Sequence, residues 1–140
     1  RWGSREVEIS SVQLLDSQGK DHRVFHSNDS VRVAMRYKFN ESTSDLVFGV
    51  GIHRADGVQI FGTNTDIERI KIPELGATGE VHFDIKRLGL LDGNYTLDVA
   101  AHRSDGYPYD YHHHAIKFSV RWPEKQVGVC LPEHSWSFKR

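Results

Sequence analysis

Through most of this chain apolar residues recur at every second position, the period of strands with one face buried and one face wet. The clearest case runs from Val31 to Phe39, where Val31, Val33, Met35, Tyr37 and Phe39 point one way and Arg32, Ala34, Arg36 and Lys38 the other. Val7 and Ile9 alternate, and Val12 and Leu14 continue in the opposite phase, so a bulge is expected near Ser10 and Ser11. A turn at Asp16-Ser17-Gln18-Gly19 leads to a short strand containing Val24 and Phe25. Val81, Phe83 and Ile85 alternate with Glu80, His82 and Asp84, and after the turn Leu91-Asp92-Gly93-Asn94 the set Tyr95, Leu97, Val99 and Ala101 alternates with Thr96, Asp98, Ala100 and His102. Ser104-Asp105-Gly106 turns the chain again, and Ile116, Phe118 and Val120 form a further strand before Pro123. Val127 to Leu131 and a piece around Trp136 read as the last strands, and the stretch from Asp66 to Gly79, with Pro73 and poor periodicity, reads as a long connection.

The segment FGVGIHRADGVQIFGTNT, from Phe48 to Thr65, reads as a hairpin that turns at Ala55-Asp56-Gly57. Its first strand sends Phe48, Val50 and Ile52 to one face and Val47, Gly49, Gly51 and His53 to the other. Glycine inside a strand weakens it, so the pair marks either a surface that something approaches closely or a bulge or bend at a sheet corner. The whole pattern predicts an all-β fold: an immunoglobulin-like or jelly-roll β-sandwich of roughly eight antiparallel strands, without a convincing helix.

With 140 residues and 38% hydrophobic content the chain is long enough for one core, so residues 1–140 are expected to form a single domain. A formal net charge of -1 argues against nucleic acid or an anionic membrane as partner. The single cysteine, Cys130, has no partner for an internal disulfide, which suits a reducing compartment. No apolar run is long enough to insert in a bilayer. Arg1 stands directly before a strand without an initiator Met, so the chain is expected to be a domain of a longer polypeptide.

Several short motifs, each weak alone, occur together in order. They are Arg1-Trp2-Gly3-Ser4 before Glu6-Val7-Glu8-Ile9, Phe48-Gly49-Val50, Asp56-Gly57, Gly62-Thr63-Asn64-Thr65, Leu91-Asp92-Gly93-Asn94-Tyr95, and Tyr109-Asp110 before Phe118-Ser119-Val120. In this the chain resembles the C-terminal carbohydrate-binding domain of the Wzt-type ATPase subunits of bacterial O-antigen polysaccharide ABC exporters. The resemblance implies a β-sandwich that recognises a lipid-linked polysaccharide, often by its modified non-reducing end, at the cytoplasmic face of the inner membrane. It also implies a homodimer with an exchangeable C-terminal strand, here 127–138, and an ATP-binding domain and a membrane permease as partners. ATP hydrolysis would reside in that separate domain. Gly19-Lys20 lacks the flanking residues of a phosphate-binding loop, so this chain is expected to bind no nucleotide and no other cofactor.

Sugars are held by flat groups against their apolar faces and by amides, hydroxyls, carboxylates and imidazoles against their hydroxyls. The candidates are His53, His102, Thr63, Asn64, Tyr107, Tyr109 and Asp110. The structural alternative is that the tyrosines plug a sandwich end, the histidines are solvated, and Thr63 and Asn64 finish a strand by bonding to backbone. Trp2, Trp122 and Trp136 read as packing or dimer-interface residues. His112 and His114 are placed to share a strand face as a metal pair would, following Gly106 at the spacing of the cupin histidine motif. That motif's carboxylate is missing, because Phe118 and Ser119 stand in its place, so no metal and no catalysis are expected. Asn28, Asn40 and Asn94 lie in glycosylation sequons that carry no meaning without a secretory signal. A carbohydrate-binding module is therefore the leading reading. A dimerisation module of the transporter ATPase and a cupin-like metal enzyme are the alternatives.

Overall fold

A computed structural model describes residues 1–139. Eight strands form: β1 (Val7–Leu15), β2 (Val24–His26), β3 (Val31–Phe39), β4 (Val47–Arg54), β5 (Gln59–Asn64), β6 (Thr78–Ile85), β7 (Gly93–His102) and β8 (Pro108–Arg121). They make two sheets, of order β1-β3-β6 and β2-β8-β7-β4-β5. The sheets pack face to face through the inward residues that alternation predicts. Val7, Ile9, Val33, Met35 and Tyr37 from the smaller sheet meet Phe48, Val50, Ile52, Leu97, Val99, Ile116 and Phe118 from the larger. At about 1.5–3 kcal/mol for each large aliphatic or aromatic side chain buried, this interface dominates the stability.

The phase slip in β1 is a bulge, with the register against β3 shifting between Ile9 and Ser11. Tyr95 closes the turn before β7 by donating its hydroxyl to the Leu91 carbonyl at 2.6 Å, four residues upstream, as in the tyrosine corner of immunoglobulin-like sandwiches.

Three expectations are corrected. The strands are not all antiparallel, since β2 runs parallel to β8, Val24 opposite Ser119. β8 begins at Pro108 rather than near Ile116, so Tyr109, Asp110 and Tyr111 lie in the strand that carries the histidines and not in a loop before it. Among the described residues, the segment after Pro123 forms no strand. The Leu90–Cys130 bridge, the buried Leu131 and the partly buried Val129 tie it down, and Trp136 and Phe138 are 84% and 90% exposed.

The N-terminal residues form a strap along β8. Trp2 exchanges both backbone hydrogen bonds with Tyr111, at 3.1 and 2.7 Å, and its ring stacks on the Tyr111 ring with centroids 4.5 Å apart. Gly3, at φ 141°, passes so close that a Cβ there would lie 2.2 Å from the Tyr109 carbonyl oxygen. No other residue type fits at that crossing.

Candidate functional site

The outer face of the larger sheet carries a groove of about 520 Å³. It follows from the register. Gly49 of β4 stands between Asn64 of β5 and Ala100 of β7, and Gly51 stands between Gly62 and Asp98. Four side chains that would normally rise from this surface are thus absent or reduced to a methyl, and the backbone itself becomes the floor. Of the two explanations for the strand glycines, close approach is the one the register supports. A Cβ built on Gly49 would meet Asn64, Thr63 and His102 no nearer than 3.5 Å, so nothing inside the protein requires glycine there. At Gly62 a Cβ would meet Gln59 Nε2 at 2.6 Å, because the Gln59 amide lies across the floor.

Polar groups stand around this floor. His102 donates Nδ1–H to the Arg103 carbonyl at 2.6 Å, which leaves Nε2 of the neutral ring as an acceptor above Gly49. Asn64 Oδ1 accepts from the Ile67 N–H at 2.7 Å, and its amide hydrogens remain unused by that bond. Tyr111, held by the Trp2 stack, donates its hydroxyl to Asp98 Oδ2 at 3.2 Å. Burial, followed by the Asp98 charge and this bond, pushes the Tyr111 phenol up.

Asp98 is the most constrained group on this face. The Asp98 carboxylate also accepts from His113 Nδ1 at 3.0 Å and from the His114 N–H at 2.8 Å. Burial pulls its pKa upward, but the His114 N–H, the His113 hydrogen bond and the charge of His113 and His53 win and hold it below the ordinary carboxylate value.

The predicted residues divide. His102 and Asn64 border the groove. Thr63 pairs with inward-facing Val50, so its side chain turns to the other face of β5, where it donates to Glu68 Oε2 at 2.7 Å. His53 lies beside the floor, with Nδ1 3.7 Å from Asp98 Oδ2. Tyr107 is exposed in the turn before β8, its ring under the Arg103 guanidinium at 4.4 Å and away from the groove.

Two candidates are not on the surface at all. Tyr109 is 2% exposed and donates its hydroxyl to the Asp45 carbonyl at 2.7 Å while meeting Thr43 Oγ1 at 2.9 Å. Asp110 is fully buried. It accepts from the Ile9 N–H at 2.9 Å and from Arg1 Nε and Nη2 at 3.1 and 2.9 Å. Arg5 Nε stands 3.6 Å away and His112 Nε2 3.1 Å away. Burial raises its pKa, and Arg1, the Ile9 N–H and His112 more than reverse that, leaving a carboxylate held below its ordinary value. Asp110 anchors the N-terminal strap, so it is a structural ion and not a ligand contact. The expected pairing of His112 with His114 fails for a related reason. A bulge sets three β8 residues opposite Asp98, turning His112 inward to Asp110 and His113 and His114 outward together.

Gln59, Asp98, Ala100 and Tyr111 were not among the sequence candidates, yet they border the groove. A signal for Asp98 existed: it is the carboxylate in the outward row of β7, between Thr96 and Ala100. Gln59 carried none, because its position depends on a register shift between β4 and β5.

Comparison with known proteins agrees with this architecture. The family model described as the Wzt C-terminal domain matches residues 1–131. The crystal structure of the C-terminal domain of Wzt superposes with a TM-score of 0.88, covering 99% of this chain and 87% of that one at 19% identity, a likeness of fold. The O-antigen export system ATP-binding protein RfbB of Myxococcus xanthus is 30% identical over 130 residues. That alignment takes in 93% of this chain and 29% of the relative, so the chain spans under a third of that protein's length. On the match of nearly its whole length, the chain belongs to the Wzt C-terminal domain family.

Proposed function

We propose that this chain is the non-catalytic carbohydrate-binding module of an O-antigen export ATPase, and that it takes the end of a lipid-linked O-antigen polysaccharide into the groove on the larger sheet. The family supplies the context, since a relative of similar sequence carries the name of an O-antigen export ATP-binding protein. The observation that carries the reading is the floor of Gly49, Gly51, Gly62 and Ala100, crossed at Gly62 by the movable Gln59 amide and rimmed by Asn64, His102 and Tyr111. A pyranose ring laid on bare backbone gains dispersion contact across its whole face, while the rim offers both donors and acceptors to its hydroxyls. The groove is shallow and polar, which suits affinities on the order of micromolar to millimolar. A glycan held near the transporter by its lipid is concentrated locally, so weak recognition suffices.

In this reading the ATP-binding domain and a membrane permease are the partners, and the module works at the cytoplasmic face of the inner membrane. The exposed tail around Trp136 and Phe138 favours a second role in the same domain, homodimerisation by packing or exchange of 127–138.

The test is isothermal titration with the O-polysaccharide of the host. His102→Ala removes the Nε2 acceptor and is expected to weaken binding by about 1–2 kcal/mol, with the melting temperature little changed. A parent chain that binds no glycan of its host would leave dimerisation as the better account.

A further inference from the structure

We propose that Asp98, His113 and His114, with His53 as a fourth ligand, form a binding site for a divalent first-row transition ion, zinc foremost. The proposal is independent of whether the groove binds a glycan.

The site is made by the bulge in β8. Leu97 pairs with Ile116 and Val99 with His112, so Asp98 alone opposes residues 113–115. To fit them, His114 takes φ 53°, a left-handed conformation unusual for a residue with a side chain. Strain of this kind collects at functional sites. Its consequence is that adjacent residues, which in a regular strand face opposite ways, place both imidazoles on one side. Their rings stack with centroids 3.7 Å apart, directly over Asp98. The ligand atoms of Asp98, His113 and His114 lie within 4.8 Å of one another. From β4, His53 brings a third ring, 6.0 and 6.5 Å from the other two. Its Nδ1 is buried, lacks a hydrogen-bond partner and lies 3.7 Å from Asp98 Oδ2.

The distances suit a small ion. Two ligands on tetrahedral zinc, each about 2.0–2.2 Å from the metal, stand about 3.3–3.5 Å apart. His113 Nδ1 and Asp98 Oδ2, at 3.0 Å, and His53 Nδ1 and the same oxygen, at 3.7 Å, bracket that value. Rotation of the exposed His114 ring closes the remaining gap. Imidazole nitrogens with one carboxylate select zinc, nickel or cobalt over magnesium or calcium, which prefer oxygen. An ion would also give His53 Nδ1 the partner it lacks. The backbone N–H of His114, already bonded to Asp98 Oδ1 at 2.8 Å, orients the carboxylate from behind.

The test uses the whole chain, stripped with chelator, dialysed and titrated with zinc chloride alone, with calorimetry and melting temperature as readouts. One ion per chain at a Kd of micromolar or tighter is expected, with a higher melting temperature when it is bound. His113→Ala and His114→Ala should each weaken binding at least tenfold, and His53→Ala should weaken it less. His22→Ala, at an exposed histidine beside Asp16, should change nothing. Because Asp98 also supports the bulge, the Asp98→Asn variant is read only alongside its melt without metal. Cobalt serves as a second probe, whose visible absorption should be intense in the parent and lost in His113→Ala. Binding no tighter than millimolar, or tight binding that survives both His113→Ala and His114→Ala, overturns the proposal.

Discussion

Replacing Gly49 by alanine or valine should strengthen the fold and weaken ligand binding at once, a combination that packing defects do not produce. Gly49 is extended and central in its sheet, paired with Asn64 on one side and Ala100 on the other. Glycine in a strand interior costs roughly 0.5–1 kcal/mol relative to alanine, so Gly49→Ala should recover about that much. The new methyl meets Asn64 Cβ at 3.5 Å, the Thr63 carbonyl at 3.6 Å and His102 Nε2 at 3.9 Å, all ordinary contacts, so no steric loss offsets the gain. For a chain of this length the melting temperature should rise by about 2–3 °C.

Binding moves the other way. A sugar ring seated on the bare floor must lift by an ångström or more to clear a Cβ. A gap of about 0.5–1 Å already forfeits a quarter to a half of each dispersion contact, and hydrogen bonds to the rim lengthen with it. The expected loss is about 1–2 kcal/mol for alanine, some fivefold to thirtyfold in Kd, and more for valine. Titration with the host polysaccharide beside a thermal melt reads both signs. Parent-like affinity in a well-folded Gly49→Val chain would refute the groove as the binding surface. A melt lowered by several degrees in Gly49→Ala would refute the steric reading of the floor.

Two further predictions concern residues away from the floor. Asp110→Asn keeps the shape of the side chain but removes the charge that Arg1 answers, and should cost about 2–4 kcal/mol, discounted because Arg1 is partly exposed, and should weaken ligand binding by the folded fraction as the strap that holds Tyr111 loosens. The Asp110 carboxylate is held below its ordinary value in the fold, so its stabilising contribution is complete above about pH 4 and is lost as the pH falls through the lower folded pKa. Melting temperature against pH should therefore drop below about pH 4 in the parent, and with a shallower slope in Asp110→Asn. A chain ended after Pro132 keeps the buried Leu131 but loses Trp136 and Phe138, and light scattering should find it folded and monomeric where the parent is dimeric. An equally dimeric truncation places the interface elsewhere.

The strands legible in the sequence are those whose two faces meet different solvents. β3 shows its inward and outward rows with one exception, the buried Ala34, because its inner face is core and its outer face is otherwise wet. The β4 and β5 hairpin is legible for another reason, the Asp56-Gly57 turn beside the alternation of Phe48, Val50 and Ile52, since β4 is buried on both faces from Val47 to Ile52, and its glycines mark the groove floor. The first half of β8 was not, because its inward positions are Tyr109, Asp110 and His112 rather than aliphatic residues, and the bulge at 113–115 then breaks the period. Polar residues can occupy that inner row only because the N-terminal strap supplies Arg1 and Arg5, a partnership more than a hundred residues distant in sequence. The parallel pairing of β2 with β8 has the same character, being set by chain path rather than by local pattern. After Pro123 the difference runs the other way: Val127 to Leu131 is apolar enough to read as a strand, yet it bonds only the short stretch 89–91, and a single bridge makes no strand.

Asp110 and Tyr109 are buried where surface contacts were expected, and the reason shows how this fold builds its outer face. A register shift near the start of β8 leaves Tyr109 unpaired between Pro108 and Asp110, and with it Tyr109 turns inward while Tyr111 faces outward, so one strand supplies both a core plug and a groove wall. Asp110 fixes Arg1, and the strap that begins there lays Trp2 against Tyr111, ring on ring and backbone to backbone. Tyr111 then reaches Asp98, which the bulge holds from the other side through the His114 N–H. A buried carboxylate and an exposed rim are thus joined through contiguous contacts, each with its own hydrogen bond or stack. The fold uses charge in the interior to immobilise an aromatic ring on the surface, and a rigid rim loses less conformational entropy when a ligand arrives.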